Sequence, residues 1–598
     1  MIPITRASGF PFYMQIPGET YQLQEDISTI GSALIVGADN ITVDLNGKTI
    51  FFGSDDLPYR YGIALPPGYP HVNPVWSSSD LTSFPCGKNT TIINGMIEQV
   101  GNGVWCGGIY RYGGRGISIS GVTIALKGDD SRPILLEEVQ GPASITSCTI
   151  DDTLTRVVTN RHQGRAAIDT QVDGFIEISY CTIIQSPQWG IRVACRTQEI
   201  SSASIHDNVV NHYTTNTNGY GIGAHMSNVD VYKNTVATTR GRGIHMEGGA
   251  DINVYGNIVD VMEEPEWDEY DYVTTHGIKL EGCKSGLVTN NTVTVHAIAN
   301  IPKATCSGSG VVVSTEAGSW CAIRGNTFTA IHELGSIYNP DDYGLYATPI
   351  EILATADGAE VIIEDNIFIS NDRFLVVKEY NPTTPEEAKI TFARNTFKLQ
   401  GTPTGRKGIV FHMANFDALQ LVDNIVDTAN GVPDLISVTT GWPWNPCLLT
   451  FMKTFSIRFR DPLNANMIGA VVSFITPLGS VASMVTDGAG RLKLLLPVGY
   501  IMASEGGIYY PVPSVSATIK WLGTETTVEI LTDSYTLEVA VPVAGAPVVI
   551  NVGTNGTNMP DDVQVGDVVT LTCLGRLENQ PFMGTVNTYM VDIQKAQP

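Results

Sequence analysis

Cysteine is scarce. Ten in 598 residues are too few for a chain held together by disulfides. Cationic side chains are scarce too: 35 lysines and arginines stand against 60 aspartates and glutamates, a formal net charge of −25 with a sequence pI near 4.7. Such a surface repels phosphate backbones and anionic lipid, which argues against nucleic acid and against a membrane as partners. No apolar run is long enough to cross a bilayer. The opening Met1-Ile-Pro-Ile-Thr-Arg6 lacks a basic stretch followed by an apolar one, so either a secretory leader has been removed or the protein leaves its cell without one. Release inside a virus particle by lysis is the simplest way out of a cell without one. Charged residues make up only 16% and hydrophobic residues 43%, the composition of a folded chain with a dry interior.

Turns and a repeat are what the sequence has in plenty. It carries 60 glycines and 32 prolines, and its length exceeds one compact core, favouring a solenoid or several domains. A small or amide residue followed by two β-formers recurs along it. The copies begin at Gly121, Cys148, Cys181, Asn208, Asn234, Asn257, Asn291, Asn326, Asn366, Asn395 and Asn424, at intervals of 23 to 40 residues. Weaker copies stand at Asn46-Gly47 and Asn94-Gly95. The shortest interval fits one turn of three short strands and three bends; the longer ones must carry loops. Asparagine tolerates left-handed backbone, and its amide can bond the same group one coil away. A ladder of asparagines along the axis is therefore expected. Cys148 and Cys181 fall on it as buried thiols, whereas Cys306 and Cys321 could pair with each other.

A second register lies upstream of the ladder at Ile168, Ile191, Ile222, Ile244, Ile278 and Val311, most of them directly after a glycine. Strand alternation sends these aliphatics inward and their neighbours outward, so each coil buries its face against the next. On these residues, and on the opening from Gly18 to Ile50, the chain resembles right-handed parallel β-helix proteins: pectate lyase-like enzymes, alginate epimerases and phage tailspikes. The resemblance covers roughly residues 18 to 440. It implies an all-β fold, a right-handed single-stranded parallel β-helix of about 12–13 coils, with carbohydrate outside a cell as partner.

After Asn424 the ladder stops. The expected organisation is an N-terminal segment over 1–17, the β-helix over 18–440, a linker over 441–449 and a β-sandwich over 450–543. A small β module or sandwich extension follows over 544–598. The run Thr486-Asp-Gly-Ala-Gly-Arg-Leu-Lys-Leu-Leu-Leu-Pro-Val-Gly499 resembles immunoglobulin-like sandwich modules related to transthyretin and carboxypeptidase regulatory domains, which attach, space or cap.

Chemistry is sought among the outward neighbours of the inward register. Just after each aliphatic come Asp169, Arg192, Gly223, His245, Lys279 and Val312. Two residues on come Gln171, Ala194, Glu247, Glu281 and Ser314, with His225 read as one out of register. Coils stack at about 4.8 Å, so Glu247 and Glu281 should be neighbours on one exposed sheet beside His245 and Lys279. Polysaccharide chemistry uses such groups. A carboxylate pair can supply an acid and a nucleophile, each shifting the other's pKa. Alternatively, a His or Lys base with a neutralising cation could take the proton beside a uronic acid carboxylate. These four residues are the catalytic candidates. Asp169, Arg192, Arg240, Arg242, His276, Trp267 and Tyr270 are the substrate-binding candidates, the last two on the insertion Glu263–Tyr272. The carboxylates of that insertion could bind Ca²⁺, but no Asp-x-Asp-x-Asp spacing supports a metal. Polar residues in a solvent-facing file also occur with no function at all.

Aromatic segments around Tyr59, Tyr61, Trp105, Tyr110 and Tyr112 read as lips for a ligand or for another subunit. Pectin-hydrolase and alginate-epimerase signatures are absent from the sequence. The reading that follows is a virion-associated surface protein, a tailspike or decoration protein, binding a polysaccharide or cell-surface glycan beside other virion proteins. A homotrimer is expected by analogy with spikes. The alternatives are an extracellular polysaccharide lyase, hydrolase or epimerase, and a non-catalytic adhesive protein.

Overall fold

The computed structural model describes residues 1–541 apart from 66–86, 155–165, 187–188, 196–200, 214–218, 240, 264–271, 300–304, 335–345, 354–357, 372, 379–388, 401–408, 415–417, 428–435, 440–447, 503–507 and 533–535. Beyond 541 it describes the strands Leu571–Leu577 and Gln580–Val586. The chain divides into two compact units, 1–417 with 424–447, and 418–423 with 448–598.

The first unit is a parallel β-helix. Its strands pair with strands one coil away, always in parallel, in three columns. One column runs through Tyr61–Leu65, Gly107–Tyr112, Arg132–Thr146, Ala166–Asp173, Trp189–Ala194, Tyr220–His225, Arg242–Glu247 and Tyr272–Thr289, and continues through Thr305–Arg324 and Tyr346–Leu353. Its register stacks Ile168 on Ile191, Ile222, Ile244, Ile278, Val311 and Ile350, each fully buried. Burying each such side chain stabilises by about 1.5–3 kcal/mol, and β-branched residues suit the pleat. The glycine before Ile191, Ile222, Ile244 and Ile278 has a steric cause. A Cβ at Gly190, Gly221, Gly243 or Gly277 would lie 2.1–2.4 Å from a valine methyl of the neighbouring column. The coil is too narrow there for any side chain.

The asparagine ladder is continuous. The Oδ1 of Asn234 accepts from the backbone N–H and the Nδ2 of Asn208, at 3.1 and 2.9 Å. The same pair of bonds links each further step through Asn257, Asn291, Asn326, Asn366, Asn395 and Asn424. Each Nδ2 also reaches a backbone carbonyl of the preceding coil, as Asn208 does to Ile178 at 3.0 Å. The thiols of Cys148 and Cys181 take the same place, directed at the carbonyls of Ile119 and Ile145.

Four expectations need correction. Left-handed backbone falls on the residue before each ladder position, at Ser147, Tyr180, Asp207, Lys233, Gly256, Asn290, Gly325, Asp365, Arg394 and Asp423, because that residue makes the bend. The asparagine begins the next strand. Gly121 is likewise the bend (φ +63°), and Val122 fills the ladder position beside Cys148. The solenoid does not wait for residue 18, since Ile2–Ile4 already pairs with Thr20–Leu23. Cys321 is a free buried thiol, not the disulfide partner of Cys306. It pairs at Gly286, whereas Cys306 pairs at Val273, in another part of the coil.

The second unit contains two sheets around one core. Leu448–Arg460 pairs antiparallel with Arg491–Met502, which pairs with Ile508–Pro511, and lies parallel to Thr536–Ala540. Gly479–Val485, Val471–Thr476, Ser514–Trp521 and Thr524–Leu531 form an antiparallel sheet. Phe455, Ile457 and Phe459 of the first pack with Val472, Phe474, Ala517 and Ile519 of the second, the inward halves of alternating strands. Asp487 closes the expected turn by accepting from the N–H groups of Ala489 and Arg491, both at 2.8 Å. Leu571–Leu577 and Gln580–Val586 form a hairpin.

Candidate functional site

Three outward files run along the column that holds the inward isoleucines. Alternation fixes them: the positions two before, one after and three after each aliphatic point away from the core. The first file reads Trp189, Tyr220, Arg242, His276, Ser309. The second reads Asp169, Arg192, Gly223, His245, Lys279, Val312, Glu351. The third includes Gln171, Ala194 and His225, and Glu247, Glu281 and Ser314. His225 is thus in register with Ala194, and its Nδ1 lies 4.0 Å from Glu247.

Glu281 is the hub. Its Oε2 lies 2.5 Å from Lys279 Nζ and 3.0 Å from His245 Nε2. The hydrogen bond to His245, reinforced by Lys279, holds the Glu281 carboxyl down at about 2. Its proton affinity is therefore set by His245 and Lys279 and not by Glu247, although the two glutamates are paired in register. Glu247 projects into solvent, with 59% of its side chain exposed. An acid for hydrolysis would need the opposite treatment, a carboxyl pushed up by an apolar pocket.

The histidines are not exposed as the alternation pattern implied. His245 and His276 are both buried. Burial pushes the His245 pKa below its usual value, helped by Lys279 and Arg242, while Glu281 pulls the other way. His276 is driven well below by burial and then by Arg242 and Lys279, and its Nδ1 has no hydrogen-bond partner. Both rings are consequently neutral. The Nε2 of His245 faces a carboxylate, which assigns the ring proton to that nitrogen.

Aromatic rings frame this cluster. Tyr220 packs against His245 at 4.5 Å between centroids and edge-on against Trp189 at 4.5 Å. The Arg242 guanidinium lies over the Tyr220 ring at 5.1 Å and donates to its hydroxyl. Arg192 lies over Trp189 at 5.7 Å. Gly223 makes room for that indole, since a Cβ there would sit 2.9 Å from it. Neither Trp189 nor Tyr220 was singled out from the sequence. The signal was present: both are the residue before the glycine of the Gly-Ile repeat, which is an outward position.

Asp169 is not available to a ligand. It is buried between Arg192 at 2.9 Å and Arg132 at 3.4 Å, an ion pair that staples neighbouring coils. Arg240, Trp267 and Tyr270 lie outside the described residues, as does most of the acidic insertion on which the Ca²⁺ expectation rests. Among the described residues no group of three or more His, Cys, Asp or Glu side chains could hold a metal ion, and no helix is long and apolar enough to cross a membrane.

Comparison with known proteins bears on the fold. Among solved structures the chain is similar to the tailspike protein of Escherichia coli bacteriophage HK620 in complex with a pentasaccharide, at 11% identity and a TM-score of 0.35, covering 84% of this chain and 87% of that one. A mutant of that tailspike in complex with a hexasaccharide is 12% identical, covering 85% and 87%, with a TM-score of 0.31. No curated protein matches the chain. The family model described as "Right handed beta helix region" matches residues 168–349, the stretch whose strands carry the Glu281 cluster, and the chain is an all-β protein built on that helix.

Proposed function

We propose that this outer face binds an acidic glycan, and that the chain does so as a surface protein of a virion, tailspike-like or a decoration protein. The observation that supports the reading most is the Arg242 guanidinium laid over the Tyr220 ring, on a strip whose other cations, Arg192 and Lys279, are paired with Asp169 and Glu281. Arg192, Arg242 and Lys279 stand within four successive coils beside Trp189 and Tyr220. A carboxylate-bearing sugar needs charge partners for its acid group and a flat ring for its C–H face, and the strip offers both. The extracellular setting follows from the chemistry of that ligand. The sandwich, in this reading an immunoglobulin- or transthyretin-like module, serves attachment.

One observation favours a second reading, catalysis by proton abstraction. His245 is a neutral imidazole oriented by a carboxylate, with Lys279 and Arg242 near enough to stabilise negative charge. On a uronic acid residue, His245 would take the proton beside the carboxylate. The electron pair would then either expel the glycosidic oxygen, which takes a proton from water, as in a lyase, or recapture a proton from water on the other face, as in an epimerase.

Retention on a panel of immobilised acidic and neutral polysaccharides, with product masses recorded, tests both. Binding predicts retention on at least one acidic polymer that falls about tenfold or more in Arg242→Ala and Lys279→Ala, two charge-assisted contacts. Catalysis predicts unsaturated or epimerised products that vanish in His245→Gln. Retention unchanged by both cation variants would refute the glycan strip.

A further inference from the structure

A cavity of about 420 Å³ opens on the same column, towards the N-terminal coils. The outward file that carries Trp189 and Tyr220 begins Tyr61, Gly107, Arg132. Gly107 leaves its place to the Tyr61 ring, which a Cβ there would meet at 3.0 Å. Tyr61 leans across to stack on Tyr110, centroids 4.8 Å apart and planes at 23°. Opposite stand Tyr59 and Trp105, 5.4 Å apart. The polar edge is Glu137 and Arg132, 3.8 Å apart, with the Tyr110 hydroxyl donating to Glu137 at 3.2 Å.

We propose that this cleft is a binding site for an uncharged sugar ring, distinct from the cationic strip and independent of the reading given to it. Tyr110 and Arg192, the strip residue nearest to it in that file, are three coils apart, which is about 14 Å at the usual strand spacing. The two sites therefore cannot share one sugar residue. A pyranose is apolar on its C–H faces and lined with hydroxyls at its rim, each both donor and acceptor. Aromatic walls with a carboxylate and a guanidinium at one edge match both properties. The charge balance of the edge, with Asp130, Glu137 and Glu138 against Arg132, disfavours an anionic ligand. Arg132 in the wall disfavours a quaternary ammonium, the other ligand that aromatic cages select.

The test uses the full chain and saturation-transfer NMR with the methyl glycosides of glucose, galactose and N-acetylglucosamine, and choline as competitor. Transfer to the ring C–H protons of at least one glycoside is expected. It should fall roughly fivefold in Trp105→Ala and in Tyr59→Ala, two partly exposed rings, and persist in Tyr180→Ala on another face. No transfer from any glycoside would overturn the assignment. So would transfer that survives both ring variants, or glycoside displaced by choline.

Discussion

At the scale of single residues the ladder asparagines carry the largest expected cost. Asn257 accepts from the backbone and side chain of Asn234, and donates to Val231, Tyr255 and Asn291. Asn257→Ala would strand several of those buried groups at about 1–3 kcal/mol each. A loss of about 3–5 kcal/mol is expected, read as a lower urea midpoint and as faster hydrogen exchange in the coils on either side. The buried histidines set a pH window. With folded pKa values below the unfolded 6.5, His245 and His276 bind protons more readily when unfolded. Stability is therefore full above about pH 6.5 and declines as pH falls below it. Glu281, depressed from 4.5 to about 2, keeps its contribution until far more acidic conditions. Between pH 6.5 and 4.5 the melting temperature should drop through the histidines, and His276→Gln should flatten that drop. The ladder was legible because an amide both donates and accepts along a stack and asparagine recurs there at the repeat interval. The bend residue before it was not, since Tyr180, Lys233 and Arg394 share no chemistry, only a left-handed φ.

At the scale of the strand, the Gly-Ile repeat joins a steric limit to a functional surface. The glycine sits where the coil is narrowest, the isoleucine fills the core, and the residue before the glycine faces outward. Gly243→Ala would place a methyl 2.3 Å from the Gly277 carbonyl and 2.4 Å from Val259. That variant should lose several kcal/mol by overpacking, about 2–4, with raised hydrogen exchange in Arg242–Glu247 and Tyr272–Thr289. Alternation alone yielded the pairings Glu247–Glu281 and His245–Lys279. It could not yield burial. His245 is outward by register but covered by Tyr220, and Asp169 is consumed by two arginines from neighbouring coils. Such contacts depend on which long side chains lean along the file, and a period-two pattern holds no information about lean.

For the molecule as a whole, a net charge of −25 makes any acidic polymer a disfavoured partner except at the strip that holds Arg242. Retention of such a polymer by the strip should weaken steeply between about 0.05 and 0.5 M NaCl, where screening shrinks to a few ångströms. Transfer to a neutral glycoside at the aromatic cleft should not change over that range. The contrast is measurable on one preparation.

The asparagine file also has a direction. Every step hands N–H groups from one coil to the amide oxygen of the next, in the order of synthesis. A finished coil thus ends with a backbone N–H and a side-chain NH2 already aimed at the place where the following coil must lay its oxygen. Towards the preceding coil the same asparagine presents its amide oxygen and one Nδ2 hydrogen, the latter bonded to a backbone carbonyl. The file is therefore polar along the solenoid axis, and its two ends offer different groups to whatever lies beyond them.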